Sequence, residues 1–267
     1  LRNAAPSAEG EYVYLISYIA GKYKGAGAFV GSLTAADDDA GVIASNGTNF
    51  HWTRVVEDFE TLNVLHFGAM HDGVTDDRTA VLNMLNWSLN RVDGMGNNGI
   101  RLVEGTIFIS PIDLSATTIS DFAIYGPTTP YGVRPLVSII SDKSNNPAFK
   151  VSAERVVMRG LGWNGQATGT VDTNRVPLTV SNTQIFFQNV LAGGNGQNMH
   201  VLGFQSTNAG NDVFRIQDIV NSKFDQCYSV YCYGSVWNIG WSGEDGTEWD
   251  HPKSVEISNV NIQYNYG

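Results

Sequence analysis

The stretch from Leu65 to Ile109 constrains the chain more than any other, because it joins a Gly/Asp turn, one strong amphipathic helix and the opening of an extended run. Within His71–Asp77, Gly73 supplies a tight turn and Thr75 is placed to act as an N-cap. Asp76 and Asp77 put negative charge where a helix N-terminus favours it. A helix is therefore expected from about Asp76. Val81, Leu82, Leu85 and Leu89 recur at helical spacing, with Ala80, Met84 and Trp87 widening the stripe, so one broad apolar face must be buried. Asp93-Gly94-Met95-Gly96-Asn97-Asn98-Gly99 then breaks the helix, and Ile100 to Ser110 returns as an extended run with Gly105 in a turn. No second helix of similar strength follows, which leaves a β architecture with one helix at its entry.

Composition excludes several alternatives. The 267 residues include 29 Gly and many Asn and Thr, a β-rich balance. A net charge of −10 and a pI near 4.8 argue against sequence-independent nucleic-acid binding, which needs cationic groups near phosphates. No apolar run approaches the roughly 20 residues that span a bilayer, so no membrane insertion is expected. The opening residues also lack the charged-then-apolar pattern of a signal peptide. Cys227 and Cys232, four residues apart with no nearby His or Cys pair, read as packed, reduced thiols rather than a zinc site. No nucleophile elbow, phosphate-binding loop or metal-ligand pair occurs, so neither cofactor nor metal is expected.

Three zones follow. Residues 1–61 carry short alternating segments, Tyr12 to Tyr18 and Gly27 to Val30, and read as a small β domain. Their acidic run, Asp37-Asp38-Asp39, lacks the alternating ligands and distant Glu of a calcium loop and reads as a solvated turn. Residues 62–99 hold the turn and a capping helix, which would protect the open edge of the first rung. Residues 100–267 contain five strand-like segments that meet Gly or Asn at positions 126, 160, 189, 221 and 259. Both residue types tolerate the left-handed conformation of a sharp bend. The spacings of 34, 29, 32 and 38 give a period of about thirty, as a solenoid with insertions would. A rung-like segment runs almost to Gly267 without a cap, so the natural chain is expected to continue beyond a truncated C-terminal end.

Phe67-Gly68-Ala69 and Asp72-Gly73-Val74-Thr75-Asp76-Asp77, followed by helix, polar loop and strand, resemble the entry of the pectate-lyase-like domain of bacteriophage tailspikes and capsule depolymerases. Phrases such as Tyr23 to Val30, Asp37 to Ile43 and His51 to Val55 resemble the small domain that precedes it in many of these proteins. Two positions depart from the pattern: His71 stands where the family usually has Gly, and Val103 to Ile107 replaces a motif with Pro and Tyr. The resemblance implies a mainly β fold, a right-handed parallel β-helix (solenoid) with an N-terminal capping α-helix and a small N-terminal β domain. It also implies a homotrimer on a virion tail beside other tail proteins. Such a spike binds and depolymerises a bacterial surface polysaccharide, capsule or O-antigen, by glycoside hydrolysis or β-elimination. A non-catalytic spike stem and a cellular pectate-lyase-like enzyme are the alternatives, since this fold hosts several chemistries.

Function is expected in the insertions between rungs, where loops on a rigid scaffold carry binding groups. The densest runs from Trp237 to Pro252. It holds Glu244, Asp245, Glu248 and Asp250 as catalytic candidates, with Trp237, Trp241, Trp249 and His251 as substrate-binding candidates. Aromatic rings stack on sugars, and paired carboxyls serve as acid and base or nucleophile across a glycosidic bond. The same segment also reads as a solvated acidic loop anchored by its tryptophans. Arg155, Arg159 and Arg215 read either as clamps for acidic sugars or as ordinary surface charges, and His200 as an outward rung residue.

Overall fold

The computed structural model describes residues 1–56, 61–90, 99–129, 134–142, 146–171, 177–180, 184–191, 198–217, 219–240 and 253–263. They fall into two compact units: Leu1–His71 with Asp77–Val103, and Asp72–Asp76 with Glu104–Gly267.

The first unit begins with strands β1 (Tyr12–Leu15), β2 (Gly27–Ser32), β3 (Ile43–Ser45) and β4 (His51–Arg54), which form an antiparallel sheet in the order β1-β2-β4-β3. Phe29, Phe50 and Trp52 make its small core. Arg54 is buried with them, its guanidinium donating to the carbonyls of Gly25, Ala26 and Gly41 and lying 4.6 Å from the Phe29 ring. Three backbone acceptors are satisfied by one side chain, which makes burial of this charge tolerable. The Asp37–Asp39 run is more than a solvated turn. Asp38 pairs with Arg2 and accepts from the Ser45 amide, and Asp39 accepts from the amides of Gly41, Val42 and Ile43, so both carboxylates shape the β3 approach.

Helix α1 (Arg78–Leu89) and strand β5 (Gly99–Arg101) complete this unit. The helix buries Ala80, Val81, Met84, Leu85 and Ser88, much the face expected from spacing, and Trp87 packs 5.8 Å from Phe67. Its start differs from the sequence expectation. Asp77, not Thr75, is the N-cap residue, and no side chain caps the helix. The Asp77 carboxylate instead accepts from the amides of Met70 and His71 at 2.6 and 2.8 Å. Asp76 belongs to the second unit, where its carboxylate accepts from the amide and hydroxyl of Ser110. Thr75 donates to Asp72. Tertiary partners thus claim the carboxylates that local rules assigned to the helix dipole.

A short 3-10 turn, Val64–Phe67, precedes them. The Asn63 side chain accepts from the Leu65 amide, and the Asn63 amide donates to His66 Nδ1. Burial and nearby Arg54 hold the His66 imidazolium down to a pKa of about 4. The folded state therefore binds this proton less readily than the unfolded chain, whose His titrates near 6.5. The contribution is complete above about pH 6.5 and is lost as pH falls toward 4. We expect a thermal midpoint of the first unit that declines across that window, and a smaller decline in His66→Gln, readable by scanning calorimetry at stepped pH.

The second unit is a parallel β-helix. Its strands are β6 (Gly105–Ile109), β7 (Ile112–Tyr125), β8 (Val137–Ser141), β9 (Phe149–Arg159) and β10 (Leu161–Asn164). A side hairpin, β11 (Gly169–Val171) and β12 (Pro177–Val180), is followed by β13 (Phe187–Asn189), β14 (Asn198–Leu202) and β15 (Gln205–Thr207). Then come β16 (Phe214–Gln217), β17 (Val220–Asp225), β18 (Tyr228–Val230), β19 (Trp237–Gly240), β20 (Lys253–Ser258) and β21 (Asn261–Gln263). One parallel sheet runs β6-β8-β10-β15-β18-β21. The long strands β7 and β9 bend so that their first halves continue into β13, β16 and β19 and their second halves into β14, β17 and β20.

Register gives the true repeat. Tyr125, Arg159, Leu202, Asp225 and Ser258 stack, so the equivalent corners are Gly126, Gly160, Gly203, Gln226 and Asn259, spaced 34, 43, 23 and 33 residues apart. Gly160, Gly203, Gln226 and Asn259 have φ of 66°, 64°, 54° and 51°, the left-handed bend expected there. Asn189 and Asn221 are not members of this series. Asn189 is buried in β13, where its amide bonds both the N–H and the C=O of Ala153, and Asn221, at φ 46°, bends the start of β17, at a different corner. Inside, Phe149, Phe187, Phe214 and Trp237 stack in register. Phe214 is fully buried, with Phe204 at 4.8 Å, Phe224 at 5.9 Å and Phe186 at 6.0 Å. The buried Ser206 hydroxyl donates to that of Ser229 at 2.7 Å, and Ser229 donates in turn to Cys232 Sγ at 3.2 Å.

Cys227 and Cys232 are free and buried, as read from the sequence. Burial pushes the Cys227 thiol up to about 12 and raises Cys232 as well. With the thiolate so disfavoured, we expect neither to be alkylated by iodoacetamide at pH 8 in the native protein and both to be modified in denaturant, by intact-mass spectrometry.

Candidate functional site

The acidic, tryptophan-rich segment springs from one corner of the coil. In the coil before it, two residues separate β16 from β17; here twelve, residues 241–252, separate β19 from β20. Both ends are held in parallel register: Trp237–Gly240 against Phe214–Gln217, and Lys253–Ser258 along Val220–Asp225. The Asn189 amide staples the same corner two coils earlier. Trp241, Glu244, Asp245, Glu248, Trp249, Asp250 and His251 lie outside the described residues. Trp237 lies within them, in the inward aromatic series. Its ring is 5.7 Å from Phe224, and its Nε1 is buried with no hydrogen-bond partner among the described residues. The side chain is half-buried and continues the aromatic series of Phe149, Phe187 and Phe214.

Several carboxylates on the described outer surfaces of this unit are held by partners. Asp121 makes a bidentate pair with Arg155 at 2.6 Å, Asp113 pairs with Lys150, and Glu256 pairs with Lys223. Asp212, 6% exposed, accepts from Arg215, Asn238 Nδ2 and the Ser235 amide, bridging successive coils. Sequence reading missed this knot, because only register brings Arg215 beside Asn238. Two of the three arginines considered as sugar clamps are thus engaged within the protein, whereas Arg159 is exposed. His200 is exposed too, its Nε2 3.3 Å from the Asn221 carbonyl, as read for an outward rung residue.

The electrostatics separate these groups from a general acid, which needs a pKa raised toward the working pH. Asp72 is held down to about 2 by the amides of Thr75 and Val74. Asp121 is lowered by Arg155, Asp113 by Ser115, Asp225 by Asn259, and Glu256 by Lys223. Every described carboxylate of this unit with a resolved shift is stabilised as the anion. No cluster of three or more His, Cys, Asp or Glu fit to hold a metal occurs among the described residues. No described helix is long and apolar enough to cross a membrane.

A small antiparallel sheet followed by a parallel β-helix with loops at its corners defines the class: a bacteriophage tailspike-like architecture. Residues 1–57 match the family described as the phage tail protein small four-stranded beta-sheet domain. The chain is similar, at 35% identity and a TM-score of 0.86, to WceF of Pantoea stewartii, described as a glycan biofilm modifying enzyme with a bacteriophage tailspike-like parallel β-helix fold. The match covers 98% of this chain and 37% of that one. It is 33% identical over 264 residues to the amylovoran biosynthesis protein AmsF of Erwinia amylovora, covering 99% of this chain and 34% of that protein. The capsular polysaccharide depolymerase tailspike of Acinetobacter baumannii bacteriophage Fri1 shares the fold at a TM-score of 0.59 and 13% identity, over 97% of this chain and 51% of that one. The chain spans about a third of the length of WceF and AmsF.

Proposed function

We propose that this chain is part of a tailspike-like enzyme that cleaves a bacterial surface polysaccharide. The observation that carries the reading is its 35% identity, over nearly its whole length, to a glycan biofilm modifying enzyme of the same fold. Residues 241–252 supply the reacting groups, with two of Glu244, Asp245, Glu248 and Asp250 as the carboxyl pair and Trp241, Trp249 and His251 holding sugar rings. In the β-helix unit the described carboxylates with resolved shifts are stabilised as anions, which does not suit them to act as a general acid. Hydrolysis through paired carboxyls is the route, with β-elimination reserved for uronate-containing polymers, and three chains assemble side by side.

Two settings fit this chemistry. The match of residues 1–57 to a phage tail domain favours a virion spike docked to other tail proteins and acting outside the host. The similarity to proteins of Pantoea and Erwinia favours a bacterial enzyme that trims its own extracellular polysaccharide. Incubating the purified chain with capsular, O-antigen and secreted polysaccharides, and following reducing ends together with absorbance of unsaturated uronates, tests the reaction. Rising reducing ends without that absorbance identify a hydrolase; inertness toward all three polymer classes would sink the catalytic reading.

A further inference from the structure

We infer that the outer face of the sheet β6-β8-β10-β15 carries a separate binding site for one neutral sugar ring. The observation is a groove of about 290 Å³ whose floor is Gly162 and whose walls include Thr106, Ser138, Gln205, Pro135 and Leu136. It lies at the lower end of the range of small-molecule clefts, roughly 300–1,000 Å³, which suits one ring rather than a chain segment.

Register explains why a depression forms there. Outward positions on adjacent strands are Thr106, Ser138, Gly162 and Gln205, which run in parallel across the sheet. Three carry polar side chains and the fourth carries none, so the ladder has a notch one strand wide. A Cβ at Gly162 would come 2.6 Å from the Val137 carbonyl oxygen, so the position excludes a side chain and keeps the floor flat. Pro135 and Leu136 form an apolar wall beside it.

The polar groups of the groove are uncharged and uncommitted. Thr106, Ser138 and Gln205 are half-buried, and among the described residues their side chains make no hydrogen bond. Together they present two hydroxyls and one carboxamide, each able to donate and accept, which matches the paired donor and acceptor character of sugar hydroxyls. The apolar wall matches the C–H face of a pyranose. Among the described residues the groove has no Arg or Lys partner of the kind a uronate carboxylate would require. On the other sheet of this unit outward ladders carry the salt bridges Asp121–Arg155 and Lys223–Glu256, whereas this ladder is uncharged.

This site deepens the glycan reading by giving the polymer a neutral residue to be held at a distance from the reacting groups. Its test reads binding without turnover. Methyl glycosides of glucose, galactose, mannose and N-acetylglucosamine, with methyl glucuronoside as the charged comparison, are added to the full chain and followed by saturation-transfer NMR. At least one neutral glycoside is expected to give transfer, and the glucuronoside none. Gln205→Ala and Ser138→Val should each reduce that signal about fivefold, the loss of one net hydrogen bond, with an unchanged thermal midpoint. Ser138→Trp, which fills the notch from the neighbouring strand, should abolish it.

Absence of transfer from all four neutral glycosides would overturn the site, as would equal binding of the glucuronoside or indifference to all three variants. A concentration-dependent rise in mass that Ser138→Trp removes would assign the notch to contact between copies and overturn it too. Binding without cleavage of any polymer would retain the groove and remove the catalytic reading; cleavage without binding would do the reverse.

Discussion

Phe214→Ala is expected to destabilise the β-helix by about 3–5 kcal/mol, the range for emptying a buried aromatic site. Phe214 is fully buried and meets Phe186, Phe187, Phe204 and Phe224 at once, so deletion leaves a cavity whose lining rings come from several coils. Collapse around such a hole would require several strands to shift together, and their parallel register opposes that. Against a total stability of roughly 5–15 kcal/mol, the loss should lower the thermal midpoint by about 10 °C. Val157→Ala is the matched control, because Val157 sits on the outer face at 37% exposure, and surface changes of this kind stay within about 0.5 kcal/mol. Equal shifts in the two variants would refute the aromatic series as the organising core.

The largest effect on activity is expected from the four carboxylates of residues 241–252. Glu244→Gln, Asp245→Asn, Glu248→Gln and Asp250→Asn keep size and remove the titratable group. One or two of them should lower polysaccharide cleavage about 10²–10⁴-fold, the range for losing a general acid or base. The remainder should stay within a few-fold of the parent. Asp121→Asn breaks only the outer pair with Arg155 and should leave turnover unchanged. If all four amide variants cleave as fast as the parent, the reacting carboxyls lie elsewhere and the segment serves another purpose.

Much of the architecture was legible in the residues, because the Gly/Asp turn, helix and extended run follow local rules. The centre of the apolar face of α1, Ala80, Val81, Met84 and Leu85, was read from its 3.6-residue period, whereas Leu82, Trp87 and Leu89 are only half-buried and Ser88 is buried instead. What failed was the assignment of side chains whose partners are distant. Asp76 and Asp77 fit a helix N-terminus by charge, yet they bond Ser110 and the Met70 and His71 amides, which no local pattern announces. Asn189 resembled a bend residue because Asn serves both bends and backbone staples, and only its burial beside Ala153 separates the two. Gln226 bends the chain at φ 54° although Gln has no special preference for that conformation, so one corner was invisible. Those two errors made the repeat look more regular, near thirty residues, than the observed 34, 43, 23 and 33.

For the candidate site, the sequence located the segment richest in carboxyls and tryptophans but not which side chains face inward. Trp237 counted there as a sugar platform; parallel register shows it continuing the series of Phe149, Phe187 and Phe214. The neutral groove left no sequence trace at all. Thr106, Ser138, Gly162 and Gln205 are neighbours only because four strands from separate coils align.

The unequal spacing of the corners has a consequence for how such a protein diversifies. A coil of 23 residues, from Gly203 to Gln226, closes correctly with short corners, and one of 43 residues, from Gly160 to Gly203, closes in the same register. Everything beyond the shorter length is cargo that the ladder does not feel. A corner loop can therefore be exchanged between coils or between relatives as a cassette, with the flanking strands as sockets, and the specificity of the surface can change while the scaffold stays still.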